Sequence, residues 1–181
     1  MFFCGMTLET VMKNRLKTGS VVTAEELSRM QLESEKATAL DKALSHISAT
    51  MKTEYEIRAF LKRKGYLQDV SDYVVEKMKG YGFLDDELYA QRYCESVSKK
   101  KGGRLIALEL RRKGVGEEAV QNAVSAIADE EESAKRVLEK YLRGKVPDRN
   151  VLQKAYRYLL SKGYDYDTAR AAMERLKNDE D

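Results

Sequence analysis

Apolar positions recur along this chain at helical spacing, in short blocks set apart by glycine and by charged turns. Ile57, Phe60 and Leu61 fall on one side of a helix over IRAFLKRKGY (57–66), with Arg58, Lys62 and Arg63 on the other. The block returns as IALELRRKGV (106–115) and AYRYLLSKGY (155–164), so that the pairs Lys64-Gly65, Lys113-Gly114 and Lys162-Gly163 stand 49 residues apart both times. Each copy predicts the same helix stop: a basic residue against the negative end of the macrodipole, then glycine in the left-handed position after the cap. A fixed period of this size marks tandem supersecondary units.

Taken in order, residues 1–36 read as a helical lead-in. Leu8, Val11, Met12 and Leu16 give a stripe that Thr18-Gly19 ends, and Thr23 with Glu26 forms a capping box for the next helix. Residues 37–84 form a first three-helix repeat: Leu40, Ala43, Leu44 and Ile47 on its first helix, the 57–66 block N-capped by Thr53, and a third helix over about 69–79 with Val70, Val74 and Met78 inward. A second repeat spans 85–128, opening with Leu88, Tyr89, Tyr93 and Val97, turning at a basic, flexible Lys99-Lys100-Lys101-Gly102-Gly103 corner, and placing Ala119, Ala123 and Ile127 on its third helix. A third spans 129–177, with Ala134, Val137, Leu138 and Tyr141, a longer loop over 143–150, and Thr168, Ala172 and Leu176; residues 178–181 are an acidic tail. No single stripe can be buried alone, but three packed together can. The expectation is an elongated all-α array of three three-helix repeats behind a short helical N-terminal segment.

Composition agrees with a helical protein: charged residues make up 35%, with one Pro and no Trp. Lys+Arg exceed Asp+Glu only by 33 to 30, so net charge alone does not argue for nucleic acid. Cys4 and Cys94 stand alone, as in a reducing compartment, and the apolar Met1–Met6 stretch is too short for a signal peptide core. No run is long enough to span a bilayer. A cytoplasmic monomer is expected. The sequence carries no phosphate-cradling glycine loop, no nucleophile elbow and no zinc-protease motif, and His46 is its single histidine, ordinarily a packing or surface residue. The acidic groups 85–87 and 129–132 suit helix N-termini better than magnesium sites. No catalytic residue, cofactor or metal is therefore expected.

Charge is unevenly distributed. Between Ser98 and Val115 seven Lys/Arg stand against one Glu. Arg104, Arg111 and Arg112 share one exposed helix face opposite Ile106, Ala107 and Leu110. Lys113 and Lys99, Lys100 and Lys101 flank them, and Lys62, Arg63 and Lys64 hold the equivalent corner of the first repeat. The third repeat has Leu160-Ser161-Lys162 there and is less basic. Such a face is either solvated charge that compensates helix C-termini, or a surface for an anionic partner such as a nucleic-acid backbone. Most tyrosines, Tyr73 and Tyr158 among them, fall on helix stripes and are expected in the core.

The run Gly82-Phe83-Leu84-Asp85-Asp86-Glu87-Leu88-Tyr89-Ala90, followed by Lys101-Gly102-Gly103-Arg104-Leu105-Ile106 and Glu109-Leu110-Arg111-Arg112-Lys113-Gly114-Val115, closely resembles the RecX regulatory proteins of bacteria. The resemblance extends over about residues 37–177. It implies a non-enzymatic modulator that binds the RecA recombinase and its filament on single-stranded DNA. The effect would be to limit filament growth, ATPase, strand-exchange and coprotease activity, by occluding the filament groove, and so to affect repair, recombination and the SOS response. The basic residues above would face RecA and its DNA. Two departures stand out: the corner lacks the proline that usually follows its glycine, which predicts a looser loop, and the chain lacks the β-rich N-terminal segment of many members. The rival readings from the residues are a sequence-independent binder of single-stranded nucleic acid and a helical-repeat scaffold for another protein.

Overall fold

The computed structural model describes residues 5–178, which fold into ten α-helices with no β-strand among them; Cys4 and the tail beyond Asn178 lie outside. Contacts divide the chain after Asp85 into two compact units.

The first unit holds α1 (Leu8–Lys13), α2 (Ala24–Ile47), α3 (Glu54–Arg63) and α4 (Gln68–Gly80). The Thr23–Glu26 capping box starts α2 as expected, and a second box pairs Thr53 with Glu56 at the start of α3. Helix α2 runs unbroken through residues 36–37, so the lead-in and the first repeat share one helix. Its N-terminal half receives α1, which turns Thr10 inward and leaves Leu8 and Met12 about 70% exposed, so the expected apolar stripe does not form. Thr7 caps α1 and donates its N–H to Ser34 Oγ at 2.6 Å, and this polar seam sets the face α1 presents. The C-terminal half of α2 packs on α3 and α4 through Ala39 and Ala43, both fully buried, while Leu40, Leu44 and Ile47 are half-buried beside them. Small residues at the deepest row let the helices approach closely.

The second unit comprises α5 (Asp86–Val97), α6 (Gly103–Arg112), α7 (Glu117–Ser125), α8 (Glu130–Leu142), α9 (Arg149–Ser161) and α10 (Tyr166–Asn178). Helices α5–α7 enclose one core and α8–α10 another. On α5 the deepest residues are again small, Ala90 and Cys94, and on α8 Ala134 is joined by the larger Leu138, whereas Leu88 is 40% exposed. Helix α7 stops at Ser125, so Ile127 lies past its end, and Asp129, in a left-handed conformation (φ 53°), leads into α8. Helix α9 begins earlier than expected because Asp148 caps it, accepting from Val151 N–H at 2.7 Å.

The repeated helices α3, α6 and α9 behave as one element. Ile57, Ile106 and Ala155 are fully buried at one position, and Leu61, Leu110 and Leu159 at another. Burying each leucine is worth about 2 kcal/mol. Gly65, Gly114 and Gly163 lie at φ of 87°, 79° and 89°, and each closes a Schellman motif. The N–H of the next residue, Tyr66, Val115 or Tyr164, reaches back to the carbonyl of that buried leucine at 3.1–3.3 Å. On the third helices the expected row (Val70/Ala119/Thr168) is joined by a second row, Ser71/Val120/Ala169, which is buried in all three repeats. Thr168 is only half-buried: its N–H is held by the Asp165 carboxylate, which caps α10.

Candidate functional site

The corner at 99–103 is not loose. Gly102 and Gly103 are buried, and the N-terminus of α6 docks end-on against the C-terminus of α9. Gly102 N–H donates to the Lys162 carbonyl at 2.9 Å and Arg104 N–H to the Gly163 carbonyl at 3.2 Å, while Gly103 N–H donates to Glu130 Oε1 at 2.6 Å. The orphan donors of one helix are thus met by the orphan acceptors of another, with the two macrodipoles head to tail. Glycine is required by proximity: a Cβ on Gly102 would lie 2.4 Å from the Gly163 carbonyl carbon, and one on Gly163 would lie 2.3 Å from Leu105 Cβ. Ser133 adds a side-chain link, donating to the Ser98 carbonyl at 2.6 Å and lying 2.8 Å from the Tyr164 hydroxyl. A fixed platform therefore carries the basic residues of the second repeat.

Those residues differ sharply in availability. Arg111 is bound bidentately by Glu117, at 2.8 and 2.6 Å, and Gln121 supports the same carboxylate at 2.8 Å. The Arg111 hydrogen bonds, then that of Gln121, pull the Glu117 pKa down to about 2. Lys101 is half-buried and donates to both Glu109 oxygens at 2.5 and 2.7 Å, and the Tyr93 hydroxyl donates to the same carboxylate at 2.6 Å. Burial opposes the Glu109 charge, but these hydrogen bonds outweigh it and hold its pKa below the usual range. Lys113 is half-buried, 5.6 Å from the Tyr89 ring centroid. Arg104 is exposed over the Tyr166 ring, and Arg112, Lys99 and Lys100 are exposed as well. In the first unit Lys62, Arg63 and Lys64 are all exposed on the last turn of α3 and its cap.

Three acids of the 129–132 group are engaged within the fold. Glu130 holds Gly103, Glu131 pairs with Arg175 at 2.5 Å, and Glu132 pairs with Arg136 at 3.1 Å. Among the described residues no group of three or more His, Cys, Asp or Glu is placed to hold a metal ion, and no helix is long and apolar enough to cross a membrane. His46 stacks on Phe60 with ring centroids 4.1 Å apart, and burial first, then Lys52 and Arg63, lowers its pKa. Cys94 is buried in the second core, which pushes its thiol pKa up.

Tyr158 departs from its expected place in the core. It stands at the repeat position of Phe60 and Glu109, half-buried, and stacks on Tyr141 at 4.5 Å beside a cleft that collects the third repeat's cations. Sequence reading missed this cleft because its basic residues come from α8, the following loop and two corners, not from one run.

Family models described as the first, second and third three-helix domains of RecX match residues 39–78, 85–124 and 129–173. Regulatory protein RecX of Clostridium perfringens (strain 13 / Type A) is 35% identical over 178 residues, covering 95% of this chain and 84% of the relative. Regulatory protein RecX of Clostridium botulinum (strain Eklund 17B / Type B) is 30% identical, covering 96% and 84%. A crystal structure of regulatory protein RecX superposes with a TM-score of 0.78 at 24% identity, over 93% of this chain and 86% of that one. The crystal structure of RecX from Lactobacillus salivarius gives 0.72 at 23%, over 79% and 97%. With helices as its regular elements among the described residues and a RecX domain matched in each of its three repeats, this chain belongs to the RecX family of regulatory proteins.

Proposed function

We propose that this chain binds RecA and its filament on single-stranded DNA, and limits filament growth and the ATPase, strand-exchange and coprotease activities that depend on it. Membership of a family of regulatory proteins supports a binding role over a catalytic one. The observation that carries the assignment to the basic face is the fixed second-repeat platform, which holds Arg104 and Arg112 exposed while neighbouring cations are tied to acids. Cations without a carboxylate partner retain their full attraction for an acidic groove or a phosphate backbone. Arg104, Arg112, Lys99 and Lys100 are therefore the principal contacts. Lys113, Lys62, Arg63 and Lys64 support them, and Arg111 and Lys101 act first to shape the platform. The mode of action is occlusion, in which a protein seated along the filament denies access to the next subunit or substrate.

The test is RecA's DNA-dependent ATPase, measured with the wild type and with an Arg104→Glu/Arg112→Glu variant. Reversing two contact charges is expected to weaken inhibition about tenfold or more in the concentration required. Equal inhibition by both proteins removes this face from the mechanism.

A further inference from the structure

The third repeat carries a cleft of about 520 Å³ between α8 and α9 whose charged lining is entirely cationic: Lys100, Lys140, Arg143, Lys145 and Lys162. The remaining walls are Val137 and the stacked pair Tyr141 and Tyr158. Elsewhere the chain pairs several of its cations with acids, as in Arg58 with Glu54, Lys79 with Glu54 and Arg136 with Glu132. Here it does not. Asp148, the acid nearest in the loop, is occupied in capping α9, and Glu139 precedes Lys140 on α8 without lining the cleft.

The cations are arranged by the fold. Gly144, at φ 75°, turns the chain so that both neighbours, Arg143 and Lys145, line the cleft. Lys145 Nζ lies 3.3 Å from the Tyr141 ring centroid and Lys162 Nζ lies 5.2 Å from that of Tyr158. The two rings hold two ammonium groups by cation–π attraction, which leaves their charge unneutralised. Like charges gathered without counter-charge repel one another, an arrangement suited to an anionic ligand.

We propose that this cleft binds the phosphate backbone of a single-stranded nucleic acid. Lysine supplies four of the five cations, and lysine is depleted at the cores of protein–protein interfaces but suits phosphates approached from many directions. Lys145 and Lys162 already stand over the tyrosine rings, so the cleft reads phosphates and not base identity. Lys100 also belongs to the second-repeat corner, where exposed Lys99 and Arg104 extend the same charge. The cleft shares Lys100 with the residues proposed to face RecA, and its test contains no RecA and leaves Lys100 unchanged.

Binding of a labelled oligothymidylate is followed by fluorescence anisotropy across a salt series. The proteins are the wild type, Lys140→Gln/Arg143→Gln/Lys145→Gln, and a charge-matched control, Arg92→Gln/Lys154→Gln/Arg170→Gln. The cleft variant is expected to bind roughly tenfold or more weakly, with a log–log salt slope shallower by about 2, since each lost phosphate contact removes roughly 0.7. The control should stay within about twofold of wild type. Tyr158→Glu, which installs the residue type found at Glu109, should reproduce the loss. Oligodeoxyadenylate should bind like oligothymidylate. No binding by the wild type, equal loss in the cleft variant and the control, or displacement of the strand by stoichiometric ATP would each overturn the proposal.

Discussion

The second and third repeats close the same core with the same helix stop, yet they handle charge in opposite ways. At the position of Glu109 in the second repeat, the third has Tyr158. Glu109 gathers Lys101 and Tyr93 into a hydrogen-bonded cluster; Tyr158 stacks on Tyr141 and leaves Lys162 and Lys145 unneutralised over the rings. The first repeat has Phe60 there, with His46 stacked on it and Lys64 5.8 Å from its centroid. One position beside an invariant leucine row thus decides whether nearby cations are pinned or presented. The lesson concerns availability: a run with seven cations offers fewer of them than its sequence suggests, and a repeat that reads as weakly basic offers more.

The largest expected effect concerns the junction that joins these two repeats. Gly163→Ala forces a left-handed alanine whose Cβ overlaps Leu105, and is expected to cost about 4 kcal/mol, from roughly 1–2 for the backbone and 1–3 for overpacking. Gly65→Ala, at the same repeat position, meets nothing within 4 Å and should cost only about 1 kcal/mol. Chemical denaturation of both variants measures the difference, and equal losses would mean that the docking of α6 on α9 contributes nothing.

A smaller effect sharpens the distinction between pinned and presented cations. The folded Glu117 pKa is depressed to about 2 from 4.5, so the pair's contribution to stability is present above about 4.5 and lost as pH falls towards 2. Carboxyl NMR should place the Glu117 midpoint near 2 and return it close to 4.5 in Arg111→Gln. A midpoint near 4.5 in the wild type would release Arg111 to serve as a contact.

Much of this was legible in the chain because it is local. The Lys-Gly stops, the Thr23 and Thr53 capping boxes and the rows through Leu61, Leu110 and Leu159 follow from spacing within one helix or its cap. The misreadings arise where a residue's role is set by a distant partner. Gly102-Gly103 reads as flexible until Gly163 is brought against it, since only the assembled fold distinguishes a glycine needed for freedom from one needed for closeness. Leu8 and Met12 read as core until the Thr7–Ser34 hydrogen bond orients α1. Among the candidate site residues, Arg111 and Arg112 are neighbours in the last turn of α6 with the same charge. Only the α6–α7 turn, which carries Glu117 back to Arg111, separates their roles.

The second-repeat platform is proposed to present Arg104 and Arg112 to a RecA filament. Co-sedimentation with RecA assembled on single-stranded DNA tests it most directly. The wild-type chain is expected to pellet with filaments and to stay in the supernatant without RecA at salt high enough to suppress its own DNA binding, and Arg104→Glu/Arg112→Glu is expected to fail to pellet. A wild-type chain that remains soluble beside intact filaments, or a variant that pellets equally, would contradict it.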